Sequence, residues 1–357
     1  QTNCGYWHGI FGGLYLPHLR SALYQNLIKA ETLTDAFQHK SKPFLTIEET
    51  DIDCDGNTEL LLDSDQMSWY FSPARGGALF EEDIRKLSLN LLDTLSRKPE
   101  AYHEKLKKGT IHIGPVQKNP DGSSPSIHDL VLAKEPDLEK KLYIDIHPRH
   151  SYIDHIMPLH TQLDDVYQVH YQELGDFYKT AYEPVWKQEG DDITLYLRNH
   201  QNIHLAEKEI PFRIIKEIHF SPNSSNTPVK YALTNLGSET VSFKFGVEFN
   251  YALQAGYAHD RIVYIPDRQI EDTKLAHKEA HPEVLKVGIK DNWQKIDCNM
   301  EFSIPCDLWR YPVETISLSE SGFEKIYQST VLLPTWDITL SPGEHWEVSI
   351  KRKIDFI

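Results

Sequence analysis

The feature that most constrains this chain is a strict alternation of apolar and polar side chains in many separate stretches. Over residues 241–249 every second residue is Val or Phe, and the same period recurs at 193–197, 229–233 and 346–350. Successive side chains of a strand point to opposite faces, so this period is typical of half-buried strands. The pattern predicts a mainly β chain, built as a large antiparallel domain of two stacked sheets.

The first 42 residues have a different period. Apolar residues recur there at steps of three and four, as on one face of a helix: Leu16, Leu19, Leu23, Leu27, Ala30, Leu33 and Phe37. Pro17 suits a first helical turn, and Pro43 is a stop signal. We therefore predict a helical segment over residues 1–43 and the β domain over residues 44–357. A lone helix cannot bury its apolar face, so we expect partners for it in a longer polypeptide.

Composition limits the partners and the compartment. The formal net charge is −16, which disfavours nucleic acid and anionic lipid because both need a positive surface. No apolar stretch of about 18 residues occurs, so no membrane-spanning helix is predicted. The four cysteines form no CxxC pair, which argues against a cysteine zinc site. A disulfide framework is also not expected, and we predict a cytoplasmic protein.

The densest motif covers residues 6–15, Tyr-Trp-His-Gly-Ile-Phe-Gly-Gly-Leu-Tyr. Three glycines within five residues permit tight turns and the close approach of a ligand. A turn that presents the indole of Trp7 beside the imidazole of His8 is suited to a sugar. The same residues are also compatible with a buried junction between a loop and a helix. The residues alone leave both interpretations open.

This motif resembles the fifth conserved sequence region of glycoside hydrolase family 57, which includes 4-α-glucanotransferases and α-amylases. The resemblance extends through five further blocks, at residues 72–81, 97–103, 149–155, 248–250 and 312–328. It implies a helical middle segment followed by a β-supersandwich similar to galactose mutarotase. It also implies an α-1,4-glucan or maltooligosaccharide as the substrate.

The resemblance further implies that Trp7 stacks on a bound glucose, with Asn3, Tyr6 and His8 in the same wall. Glucanotransferases of the family often have an aspartate three residues before that tryptophan, where this chain has Cys4. A thiol cannot replace the ionic hydrogen bond of an aspartate to a sugar hydroxyl.

Retaining enzymes of this family use a glutamate nucleophile and an aspartate acid/base in an N-terminal barrel. No stretch of this chain resembles the motifs that carry them, so we assign no catalytic residue here. We expect the chain alone to be inactive and to need that barrel as its partner. The alternative is a non-catalytic module that binds carbohydrate or braces the barrel.

A second motif has oxygen ligands at alternate positions: Asp51, Asp53, Asp55, Asn57 and Glu59. Such spacing can wrap a calcium ion. The EF-hand pattern fails because its twelfth position is Leu62, and a polar Asp-Gly turn is the alternative. Apart from this possible structural calcium, no cofactor is expected to be required.

Two further groups of residues are candidates in the β domain. Trp309 stands in a loop-like stretch beside Pro312 and is predicted as a secondary sugar platform, whereas the other tryptophans after residue 43 are expected in the core. Four residues are available for a mutarotase-like acid/base pair: Glu248, Asp154, His155 and His219. Charged residues on strand faces usually have structural roles, so we do not expect epimerase activity.

Overall fold

The computed structural model describes residues 14–108, 111–113, 131–205, 207–266, 268–319 and 322–357. Within these ranges the helices are α1 (Pro17–Gln38), α2 (His103–Lys108) and α3 (Leu163–Tyr167), with 3-10 turns at Arg85–Leu87 and Leu138–Lys141. No helix in the described ranges is long and apolar enough to cross a membrane.

Strands make up most of the described chain and form two antiparallel-dominated sheets. The small sheet has the order β1-β2-β3-β4-β5, with β1 at Leu45–Thr50, β2 at Glu59–Ser64, β3 at Met67–Ser72, β4 at Ala78–Ile84 and β5 at Leu89–Asn90. The large sheet contains β6 (Ile111–Ile113), β7 (Val131–Ala133), β8 (Ile153–Met157), β9 (Glu183–Glu189), β10 (Asp192–Leu205), β11 (Lys208–Phe220), β12 (Val229–Asn235), β13 (Val241–Tyr251), β14 (Arg261–Tyr264), β15 (Glu279–Asp291), β16 (Ile296–Ser319), β17 (Gly322–Leu340) and β18 (His345–Phe356).

The large sheet is branched. Its main path runs β6-β7-β17-β16-β18-β12-β11-β10-β9, while β13 links β17 to β8, and β15 links β16 to β14. The long strand β16 makes this possible, because its first half pairs with β18 and its second half with β17. The predicted mainly β, antiparallel fold with a preceding helix is confirmed.

One core joins the two sheets. The ring centroids of Trp69 in β3 and Phe220 in β11 are 5.1 Å apart, and those of Phe71 in β3 and Tyr152 lie 5.9 Å apart. The alternating residues of β13 that predicted a strand, such as Phe243 and Phe245, belong to the same buried cluster. Burial of apolar surface stabilises the fold by about 25 cal/mol per Å². The residues that produce the alternating pattern in the sequence are therefore residues that form the core.

Helix α1 packs on the β domain with a different face from the predicted apolar one. Its buried residues are Arg20 and Ile28, whereas the predicted apolar face is turned outward, with Leu33 64% and Phe37 86% exposed. The helix ends at Gln38, earlier than predicted, because Lys40 has a left-handed backbone conformation with φ 53°. The domain boundary proposed near residue 43 stays a prediction.

A fully buried ammonium group connects the two sheets. Lys216 of β11 donates to the backbone carbonyls of Gly76 and Tyr152, at 2.8 and 2.6 Å, and its Nζ lies 3.0 Å from Asp154 Oδ2. Gly76 belongs to the turn between β3 and β4. The contacts therefore hold that turn, the start of β8 and the centre of β11 together.

The same turn requires glycine. Gly76 and Gly77 have φ values of +73° and +54°, a region that L-residues rarely adopt. A Cβ atom on Gly76 would lie 2.5 Å from the carbonyl oxygen of Tyr178, and one on Gly77 would lie 2.9 Å from the ring of Tyr182. The Arg-Gly-Gly sequence that resembles the family is thus a packing requirement.

We predict that Lys216→Met lowers the free energy of unfolding by about 3–5 kcal/mol, because it leaves the Asp154 carboxylate buried without its cation. Urea denaturation measures the loss. Lys208→Met is the matched control, since Lys208 forms an exposed pair with Glu239 and should change stability by less than about 1 kcal/mol. Equal effects of the two substitutions would contradict the central role of Lys216.

Candidate substrate-binding wall and its support

The predicted sugar-binding residues Asn3, Cys4, Tyr6, Trp7 and His8 lie outside the described residues. Their role stays a prediction. The structure does describe the chain from Leu14, six positions after His8, into helix α1, and shows what holds it.

Gln328 of β17 is the centre of this anchor. Its side chain donates from Nε2 to the carbonyl oxygen of Tyr15 at 3.0 Å and accepts at Oε1 from Arg20 Nη2 at 2.8 Å. Arg20 Nε also donates to Asp93 Oδ1 at 2.7 Å, and the hydroxyl of Tyr15 donates to Glu100. Because Tyr15, Arg20 and Gln328 are all buried, the end of the opening motif is fixed against the β domain.

Three of the family-resembling blocks meet at this anchor. Tyr15 ends the first block, Glu100 belongs to residues 97–103, and Gln328 ends residues 312–328. The second and third blocks are joined by a 2.8 Å hydrogen bond between His103 Nε2 and the carbonyl oxygen of Ile316. These blocks were recognised in the sequence without a reason for their proximity, which depends on hydrogen bonds between residues 85 to 313 positions apart.

Helix α1 rests beside an acidic patch of β4 and the following loop. Burial raises the pKa of Glu81 to about 7 and that of Asp93 to about 6, and it also raises the pKa of Asp83. The pKa of Tyr24 on the helix is raised chiefly by burial, and the negative charges of these three carboxylates raise it further. The support of the helix is therefore sensitive to protonation.

The Asp-rich loop only partly fits the predicted calcium site. Oxygen atoms of Asp51, Asp53 and Glu59 lie within 4.8 Å of one another. Asp55 instead pairs with Arg75 and accepts a 2.8 Å hydrogen bond from the amide of Asn57.

Other oxygen atoms of the Asp-rich loop already accept hydrogen bonds from the backbone of the same loop. Asp51 accepts 3.0 Å bonds from the amides of Asp55 and Gly56, as in the polar-turn alternative. Glu59 is buried, with a raised pKa caused by burial, and borders a cavity of about 110 Å³. Calcium binding stays a prediction.

The platform prediction for Trp309 is wrong in its structural premise. Trp309 lies within β16, paired with Ala280 of β15 and Leu333 of β17, and only 5% of it is exposed. A buried indole offers no face to a sugar. The prediction that the other tryptophans are core residues is wrong for two of them, since Trp293 is 71% exposed and Trp186 is also exposed.

Of the four acid/base candidates, the structure brings only two together. His155 Nε2 lies 3.5 Å from Glu248 Oε2, whereas Asp154 binds Lys216 and His219 is exposed beside Thr194 and Glu217. Glu248 and His155 are fully buried, so a sugar cannot reach either side chain. No acid/base work on a sugar follows from this geometry.

The other members of this buried cluster were not predicted from the sequence. Arg149 Nη1 donates to Glu248 Oε2 at 2.7 Å and Nη2 donates to Asp145 at 2.6 Å. Burial lowers the pKa of His147 to about 4. Although burial opposes it, the carboxylate of Glu173 raises the pKa of His155 to about 9. The block 149–155 contained two of these residues, but no sequence spacing linked them to Glu173.

Comparison with known proteins agrees with this architecture. A family model for the C-terminal domain of α-amylase/4-α-glucanotransferase matches residues 51–350, and the model for the middle domain of the same enzymes matches residues 1–34. The chain belongs to the α-amylase/4-α-glucanotransferase family. It is 32% identical to α-amylase 1 of Dictyoglomus thermophilum over 98% of its own length and 47% of that enzyme.

Other members of the family match over a similar span. The 4-α-glucanotransferase of Thermococcus kodakarensis is 31% identical over 94% of this chain and 44% of that enzyme. The chain thus spans about half the length of the curated relatives it matches. The crystal structure of the Thermococcus litoralis 4-α-glucanotransferase superposes with a TM-score of 0.74 at 26% identity, over 99% of this chain and 47% of that one.

The fold is shared more widely. A galactose mutarotase-like protein from Clostridium acetobutylicum aligns with a TM-score of 0.50 at 11% identity, over 88% of this chain and 99% of that one. This likeness concerns the fold alone. The predicted mutarotase-like supersandwich is confirmed.

For the Asp-rich loop, we predict that removal of calcium with EGTA lowers the melting temperature and that added Ca²⁺ restores it, because bound metal stabilises the folded state by mass action. Asp53→Asn should abolish the response, whereas Asp137→Asn, at an exposed site elsewhere, should retain it. An unchanged melting temperature on calcium removal would exclude the metal.

For the acidic patch, we predict that the contribution of Glu81 to the free energy of unfolding is lost as the pH rises from 4.5 through about 7. The folded pKa of Glu81 lies above its ordinary value of 4.5, so its contribution is fully present below pH 4.5 and is lost as the buried carboxyl ionises. The urea midpoint of the parent chain, measured relative to that of Glu81→Gln, should fall across this range. The exposed Glu48→Gln should follow the parent, and an identical slope for Glu81→Gln would contradict the assignment.

Proposed function

We propose that this chain is the C-terminal part of an enzyme that acts on α-1,4-glucans, as a hydrolase or a 4-α-glucanotransferase. In this proposal, residues 3–8 form one wall of the saccharide cleft, with Trp7 stacked on a glucose ring. The catalytic glutamate and aspartate belong to an N-terminal barrel of the longer polypeptide. The names of the matching relatives support the substrate class.

The observation that carries the proposal is the anchor at Gln328. The motif at residues 6–15 ends in Tyr15, and Gln328 binds both the backbone of Tyr15 and the guanidinium of Arg20. A sugar-binding residue must be held within fractions of an ångström to be effective, which requires a supporting shell of locked side chains. The buried network around Gln328 supplies such a shell at Tyr15, the last residue of the motif.

The outward face of helix α1 supports a neighbouring domain as the partner. Leu27, Leu33 and Phe37 are exposed along this face, and contiguous exposed apolar surface marks sites of interaction. The same observation favours the second candidate function, in which the chain only binds carbohydrate or braces the barrel. The two functions differ in whether the wall at Trp7 contacts the substrate during turnover.

We predict that this chain binds maltooligosaccharides without cleaving or transferring them, since it carries no assigned catalytic carboxylate pair. Isothermal titration calorimetry measures binding, and chromatography of the sugars measures turnover. Trp7→Ala should weaken binding by about 1–3 kcal/mol, within the range for losing one large stacking side chain at an interface.

Trp293→Ala is the control, because the indole of Trp293 is exposed in the turn between β15 and β16, and it should bind like the parent chain. Turnover by the chain itself would contradict the assignment of catalysis to the barrel. Undiminished binding by Trp7→Ala would contradict the role of the opening motif. The absence of any binding would leave only the bracing role.

A further inference from the structure

Two buried histidines and a glutamate converge where β8 meets β13. The strands pair antiparallel with His155 opposite Gly246 and Ile153 opposite Glu248. His155 and Glu248 are therefore diagonal neighbours on one face of the sheet. His147 reaches the same point from the segment before β8, and its ring centroid lies 5.3 Å from that of His155.

Each imidazole is oriented by a hydrogen bond from its Nδ1 atom. His155 Nδ1 lies 2.6 Å from Glu173 Oε1, and His147 Nδ1 lies 2.9 Å from the carbonyl oxygen of Pro148. A carbonyl oxygen can only accept, so His147 carries its proton on Nδ1 and presents a lone pair at Nε2. Histidines that bind metals characteristically donate their second nitrogen to a carboxylate or a backbone carbonyl in this way.

The two Nε2 atoms have no hydrogen-bond partner among the described residues, although both are buried. They face the same oxygen, since Glu248 Oε2 lies 3.9 Å from His147 Nε2 and 3.5 Å from His155 Nε2. All three atoms lie within 4.8 Å of one another. An unpaired buried polar atom costs about 1–3 kcal/mol, and two at one point indicate a missing shared partner.

The charges around this point leave room for a cation. Glu248, Glu173 and Asp145 provide three carboxylates, while Arg149 and Arg97 provide two guanidiniums. With neutral imidazoles the cluster thus has one excess negative charge. Arg149 uses one lone pair of Glu248 Oε2, and Asn250 binds Oε1 at 2.6 Å, so a lone pair of Oε2 remains.

We propose that His147, His155 and Glu248 bind a zinc ion. Two imidazole nitrogens and one carboxylate oxygen are a known protein ligand set for Zn²⁺, and imidazole disfavours the hard cations Ca²⁺ and Mg²⁺. The site has a structural role, because its three ligands are buried and closed to a substrate. It ties the segment before β8 to the β8–β13 pair.

The competing interpretation is a proton in place of the metal. A protonated His155 would donate to Glu248 and neutralise the excess charge, but it would leave Nε2 of His147 without a partner. Zinc satisfies both nitrogens at once.

The first test is metal analysis of the chain expressed with Zn²⁺ in the medium and purified without chelator. We expect stoichiometric zinc that survives gel filtration, and a lower melting temperature after its removal with phenanthroline. His147→Gln and His155→Gln should lose the metal. Glu173→Gln should retain it with an affinity about 10–100-fold lower, because Glu173 only orients His155.

His219→Gln is the control, since His219 is exposed and remote from the cluster, and it should keep full zinc. Replacement by Co²⁺ gives a second readout that needs no variant: we expect the visible bands of a low-coordinate site without thiolate charge transfer. A folded parent chain free of zinc, zinc retained in both histidine variants, or a thiolate band indicating the cysteines would each overturn the proposal.

Discussion

The structure depends on one buried cation, the ammonium of Lys216. Two sheets packed only through hydrocarbon could slide or tilt, since apolar contact is not directional. Lys216 removes that freedom, because it binds backbone carbonyls of the β3–β4 turn and of Tyr152 together with the carboxylate of Asp154. Another buried pair, Arg352 with Glu82 at 2.7 Å, fixes β18 to β4 in the same way. The position of the small sheet thus follows from specific ionic contacts.

Sequence periodicity predicted the strands and the helix because it reports directly on which side chains are buried. It failed where a local signal conflicted with tertiary pairing. Prolines are normally excluded from central strands, so Pro312 suggested a loop around Trp309. Strand β16 nevertheless continues through that proline, which is paired with Thr330 of β17, and Trp309 before it lies between β15 and β17. The exposed apolar face of α1 agrees with the expectation that this helix needs a partner in a longer polypeptide.

The sequence predicted only the part of the candidate site that consists of contiguous residues. The motif at residues 6–15 is visible in the sequence, but its support by Gln328 is not, because that contact joins residues 313 positions apart. The same holds for His147, His155 and Glu248. Their convergence is set by the register of β8 on β13, and a slip of one residue would turn His155 to the opposite face.

The Arg-Gly-Gly turn has a consequence for how kinship in this family is interpreted. Its glycines are required by the carbonyl oxygen of Tyr178 and the ring of Tyr182, and its carbonyls receive the Lys216 ammonium. None of these contacts involves a sugar. A descendant that had lost every catalytic group would still need the turn in order to fold, so this signature records ancestry and architecture and is silent about activity.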